Sequence, residues 1–112
     1  MGLSTHVLDT SLGRPAAGIV LTLLREEHGD WHTLNSTDTD QDGRCKDLIG
    51  HFYKLIAGTY RIRFDTATYF ASRNTPTLYP HVEITFTITN PQEHYHIPLL
   101  LAANGYTTYR GS

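Results

Sequence analysis

Val82-Glu83-Ile84-Thr85-Phe86-Thr87-Ile88-Thr89 alternates without a break. Val82, Ile84, Phe86 and Ile88 fall on one side, and Glu83, Thr85, Thr87 and Thr89 on the other. A period of two sends successive side chains to opposite faces of a pleated strand. The β-branched and aromatic residues suit a strand with one buried face. Residues 59–64 repeat the pattern, with Tyr60, Ile62 and Phe64 opposite Thr59, Arg61 and Arg63. Working outward, Leu3, Thr5 and Val7 alternate with Ser4, His6 and Leu8. Residues 18–25 are rich in Ile, Val and Leu, and residues 31–37 are polar but β-prone. Tyr95, Ile97 and Leu99 face away from His94, His96 and Pro98. Turn signals separate the runs: Gly13-Arg14-Pro15, His28-Gly29-Asp30, Asp42-Gly43, Ala57-Gly58, Asn90-Pro91 and Asn104-Gly105. Only residues 66–73 read as helical, with Asp65 as the N-cap. Seven or eight short strands with half-polar faces predict an all-β, antiparallel sandwich of about eight strands with one short helix. The alternation assigns Val7, Ile19, Leu21, Leu23, Tyr60, Ile62, Phe64, Val82, Ile84, Phe86, Ile88, Ile97 and Leu99 to the core.

The 112 residues suffice for one domain, residues 1–112, with a real core. A hydrophobic content of 39% and a charged content of 18% describe a globular chain. A net charge of −2 supplies no basic stripe, so nucleic acid and anionic membrane surfaces are not expected partners. No apolar run approaches the length that spans a bilayer. The start has neither a charged n-region nor an apolar h-region, and His6 stands where a myristoylation signal needs Ser or Thr. The single cysteine, Cys45, allows no intrachain disulfide and suits a reducing compartment. A cytoplasmic protein is the expectation.

Seven histidines are the compositional oddity. His94 and His96 share one face of a strand, with α-carbons about 6.5–7 Å apart. Two such imidazoles can share a zinc ion or a water, or simply form a solvated face. Asp38-Thr39-Asp40-Gln41-Asp42-Gly43 has the opening of an EF-hand loop, but Ile49 stands where the bidentate Glu is needed. It reads instead as a tight acid-rich turn with Gly43 at positive φ. That turn aims Arg44 and sends Cys45 inward. The tail, Tyr109-Arg110-Gly111-Ser112, carries two features at once: a final edge strand, and the aromatic, guanidinium and carboxylate groups of a docking segment. No Gly-x-Ser-x-Gly elbow surrounds Ser4, Ser11, Ser36 or Ser72, and no glycine-rich phosphate loop occurs.

Four motifs fall in order: Ser4-Thr5-His6-Val7-Leu8-Asp9-Thr10 with Gly13-Arg14-Pro15-Ala16; Thr39-Asp40-Gln41-Asp42-Gly43-Arg44; Tyr79-Pro80-His81-Val82 with His94-Tyr95-His96-Ile97-Pro98-Leu99-Leu100-Leu101; and Tyr109-Arg110-Gly111-Ser112. Together they resemble the transthyretin-like 5-hydroxyisourate hydrolases over nearly the whole chain. Ala102-Ala103-Asn104 departs from the family's usual Ser-Pro segment, and Thr107 stands where Ser is frequent. The resemblance implies the eight-stranded transthyretin sandwich and a homotetramer, a dimer of dimers, with active sites in a central channel. It implies hydrolysis of 5-hydroxyisourate, the product of urate oxidation, to the ureido-imidazoline carboxylate on the way to allantoin. It assigns His6, Arg44, His96 and Ser112 to catalysis and Tyr109, Arg110 and Gly111 to the substrate pocket. It implies neither a metal nor another cofactor.

Ring opening at a lactam amide needs an activated water, a stabilised oxyanion and a protonated leaving nitrogen. One of His6 and His96 suits the base, and the other the acid or orienting group. Arg44 suits the acyl oxygen, and Ser112 can position substrate or water. Two other readings stand beside this one. His6, His94 and His96 could form a three-histidine zinc hydrolase. Alternatively, the chain could be a transthyretin-type small-ligand carrier of hydrophobic hormones, which would need an apolar channel.

Overall fold

The computed structural model describes residues 2–112. In chain order the elements are β1 (Gly2–Asp9), β2 (Arg14–Pro15), β3 (Val20–Glu27), β4 (Asp30–Asp38), β5 (Arg44–Cys45), β6 (Gly58–Phe64), α1 (Thr66–Ala71), β7 (Val82–Ile88), β8 (His94–Ala102) and β9 (Gly105–Thr108). The strands form two sheets. One has the order β2-β1-β8-β9, with β5 also paired to β1; the other has the order β4-β3-β6-β7. Pairing is antiparallel throughout except between β1 and β8, which run parallel from Gly2↔His94 to Asp9↔Leu101.

Local chemistry explains the elements. The β3–β4 hairpin closes through His28 and Gly29, with φ of 55° and 86°, the paired positive φ of a type I′ turn. Asp65 caps α1 by accepting from the Thr68 backbone N–H and the Thr68 hydroxyl. The alternating faces of β3, β6 and β8 meet between the sheets. Leu3, Val7, Ile19, Leu21, Leu23, Tyr60, Ile62, Phe64, Ile88, Leu99 and Leu101 are almost wholly removed from water. Each large apolar side chain so buried stabilises the fold by about 1.5–3 kcal/mol before conformational entropy is subtracted. Cys45 joins this core as a free thiol. Phe86 is the exception among the expected core residues. It is half-buried, stacked on Tyr60 at 6.0 Å, and lies in the wall of an open cavity beside Tyr95 and Arg110.

Candidate active site

The site grows out of strand register. On β1, Ser4 and His6 share one face; on β8, His94 and His96 do. The parallel pairing sets Ser4 beside His96 and His6 beside Pro98. On its other edge β1 takes β5, with His6 opposite Arg44. The tail then returns: Gly111 bridges His96 and donates its N–H to the His96 carbonyl at 2.8 Å. Four segments thus converge on one sheet face.

A cavity of about 430 Å³ opens there, lined by Ser4, Arg44, Lys46, His94, His96 and Ser112 among others. His6 flanks this lining, half-buried, directly across from Arg44. Gly111 is required by its neighbours, since a Cβ there would stand 2.5 Å from His96 Cδ2 and 3.1 Å from Pro98 Cγ. Tyr109 and Arg110 lie elsewhere. They line a second cavity of about 350 Å³ between β7 and β8, with Phe86 and Tyr95. The Arg110 guanidinium sits 4.3 Å above the Tyr95 ring and pairs with Glu93 at 3.0 Å. Within one chain, therefore, Arg44, His96 and Ser112 meet, His6 adjoins them, and the first half of the tail faces away.

The acid-rich turn before β5 orients the arginine. Asp40 Oδ1 accepts the backbone N–H groups of Asp42 and Arg44, each at 2.9 Å. The bond from Arg44, then that from Asp42, holds the Asp40 carboxyl below the usual carboxylate range. Gly43 turns the chain at φ 72° and packs so closely that a Cβ would strike the Val7 carbonyl.

His96 titrates below the ordinary histidine value. Burial is the main cause, followed by the positive charges of Arg44, His6 and His94. A neutral imidazole beside a fixed guanidinium can take a proton from water at neutral pH. Burial likewise pushes the Cys45 thiol up, so it is a poor nucleophile. Sequence alternation flagged neither Ser4 nor Lys46. Ser4 Oγ lies 2.8 Å from both His94 Nε2 and His96 Nδ1. The one available signal was its shared face with His6, two residues on. Among the described residues no group of three His, Cys, Asp or Glu is arranged to hold a metal ion.

Residues 3–111 match the model of the HIUase/Transthyretin family. A 5-hydroxyisourate hydrolase of Salmonella typhimurium is 45% identical over 111 residues, covering 98% of this chain and 80% of the relative. One of Mus musculus is 46% identical over 112 residues, covering 98% and 94%. Among solved structures, a 5-hydroxyisourate hydrolase of Klebsiella pneumoniae matches with a TM-score of 0.87 at 36% identity, covering 100% of both chains. Sea bream transthyretin in complex with thyroxine matches at 0.89 and 29% identity, covering 99% and 95%. With this register, this cavity and these relatives, the chain belongs to the HIUase/Transthyretin family.

Proposed function

We propose that this chain hydrolyses 5-hydroxyisourate, opening its lactam amide to give 5-hydroxy-2-oxo-4-ureido-2,5-dihydro-1H-imidazole-5-carboxylate on the route from urate to allantoin. The observation that carries the reading is the meeting of Arg44, His96 and Ser112 in one polar cavity, beside His6. Similarity to hydrolases of that name over 98% of the chain supports it. In this mechanism a water held between His6 and His96 loses a proton as its oxygen attacks the acyl carbon. Arg44 faces the oxyanion, a fixed charge needing no reorganisation. Protonation of the leaving nitrogen completes ring opening, and Ser112 orients substrate or water. Lys46 adds a second cation that favours the carboxylate of the product. A thyroxine-type carrier would need an apolar lining, which this cavity lacks.

The working unit in this reading is one domain, residues 1–112, assembled as a homotetramer of two-fold dimers with the cavity shared across an interface. Two observations support assembly. The edges of β7 and β9 each have a single strand partner, and Tyr106 and Tyr109 are exposed beside them. In the tetramer, Tyr109 and Arg110 would serve substrate binding through a neighbouring copy's cavity. A cytoplasmic location suits its one buried thiol. The decisive experiment adds the protein to freshly generated 5-hydroxyisourate and follows the absorbance. Decay faster than the spontaneous rate, with the ureido product formed, is expected. Decay at the spontaneous rate overturns the proposal.

A further inference from the structure

Ser4 joins His96 to His94, an imidazole that the mechanism above does not use. Parallel register puts Ser4 beside His96 and Gly2 beside His94. The His94 ring lies over Gly2, where a Cβ would stand in ordinary contact at 3.4 Å from His94 Nδ1. Ser4 is buried, and its Oγ lies 2.8 Å from His94 Nε2 and 2.8 Å from His96 Nδ1. A hydroxyl has one hydrogen to donate and lone pairs to accept with. It therefore donates to one ring and accepts N–H from the other. If His96 carries its proton on Nδ1, its Nε2 is a bare lone pair and Ser4 donates onward to His94. If His96 carries its proton on Nε2, both hydrogen bonds reverse.

We propose that Ser4 and His94 are positioning residues forming a proton relay with His96, which exports the proton taken from water to His94. The inference rests on the reading of His96 as the acid–base group. The steps balance. The attacking water gives a proton to His96 Nε2 while its oxygen electron pair bonds the acyl carbon. The Nδ1 proton passes to Ser4 Oγ, and the Ser4 hydroxyl proton passes to His94 Nε2. His96 ends neutral, Ser4 is unchanged, and His94 is an imidazolium. When the C–N bond breaks, its electron pair stays on nitrogen, which takes the proton from His96 Nε2 as the relay runs back. The surroundings favour this direction. His96 is half-buried among Arg44 and Lys46 from the β5 segment and His6 from β1, with Asp42 and Ser112 on the cavity wall. His94 is exposed, so its cation is hydrated. Its neighbour Glu93 is engaged by Arg110 at 3.0 Å.

The test compares wild type with Ser4→Ala, Ser4→Thr and His94→Gln in 5-hydroxyisourate turnover across pH. Ser4→Ala and His94→Gln should each lower kcat about tenfold or more, with KM within about twofold. Ser4→Thr keeps the hydroxyl and should retain most of the rate. In wild type the acid limb belongs to the coupled pair. In Ser4→Ala the link is cut while the His94 charge stays, so the limb belongs to His96 alone, held low by burial, Arg44, His6 and His94, and should move to lower pH. A hydroxyl that merely held the rings would slow turnover and leave the limb in place. Imidazole ¹⁵N NMR of the free protein reads the relay without substrate: the coupling between the His94 and His96 titrations should be strong in wild type and markedly weaker, carried by charge alone, in Ser4→Ala. Unchanged limbs, or identical titrations in the two proteins, overturn the relay. Should wild type fail to open the ring, the proposed function falls, and the NMR titration still decides the relay.

Discussion

Arg44 owes its aim to one carboxylate. Asp40 clamps the turn through two backbone N–H groups, so Asp40→Ala should lower turnover roughly tenfold while barely moving the thermal midpoint. A parallel fall in both quantities would mean that the turn matters for folding instead. Removing the reacting groups themselves costs more. His6→Ala, His96→Ala and Arg44→Ala should each reduce kcat/KM by about 10² or more with folding intact, since none belongs to the buried core. Near-normal turnover in His96→Ala or Arg44→Ala would remove them from the mechanism. The mechanism uses protein groups only, so prolonged chelation should leave turnover intact; activity lost to chelator and restored by zinc would revive a three-histidine metal site. At this scale the sequence was legible where neighbours decide the outcome. Alternation set His6 and His96 on polar faces and sent Cys45 inward, and Gly43 took its positive φ. Ser4 was not legible, because its partners lie 90 and 92 positions away.

Elements explain how such distant groups hold register. Gly43→Ala forces a side chain into the Val7 carbonyl at a positive φ, which should cost about 2 kcal/mol or more in chemical denaturation. Gly111→Ala should act differently. It crowds His96 rather than the core, so turnover should collapse while the denaturation midpoint changes little. The helix contributes through Tyr69, whose hydroxyl donates to the buried Asp9 carboxylate at 2.7 Å. The Ser11 and Leu12 backbone N–H groups also donate to that carboxylate. Burial first, then Asp9, pushes the Tyr69 hydroxyl up to about 12. An unfolded tyrosine loses its proton near 10, so the folded state holds the extra proton between those values. Stability should therefore fall as pH rises from about 10 to 12. Tyr69→Phe should remove that slope and cost about 1–3 kcal/mol at neutral pH; an unchanged alkaline profile would exclude this pair as its source. The long strands and α1 were readable from periodicity, caps and turn residues. The two-residue strands β2 and β5 offer too few residues for any period. The parallel β1–β8 pairing leaves no local mark, since parallel partners share no turn.

At the scale of the whole molecule, exposed Tyr106 and Tyr109 and the single-partnered edges of β7 and β9 call for covering. Light scattering at micromolar concentration should give a tetrameric mass; a fully active monomer would refute the shared cavity. Deleting residues 109–112 should lower turnover far more than thermal stability, as should an extension after Ser112, whereas one before Met1 should do less. The apolar run Leu99-Leu100-Leu101 keeps the alternation of its strand: Leu99 and Leu101 are core residues, and only Leu100 is partly exposed. Here β8 has no open edge, because it is flanked by β1 and β9. The same topology has a consequence in time. The β4-β3-β6-β7 sheet joins strands that are near one another along the chain, whereas the cavity waits for residues near both ends to meet. Closing a loop of about ninety residues is slow relative to closing hairpins. A refolding chain should regain its strand signal before it regains turnover.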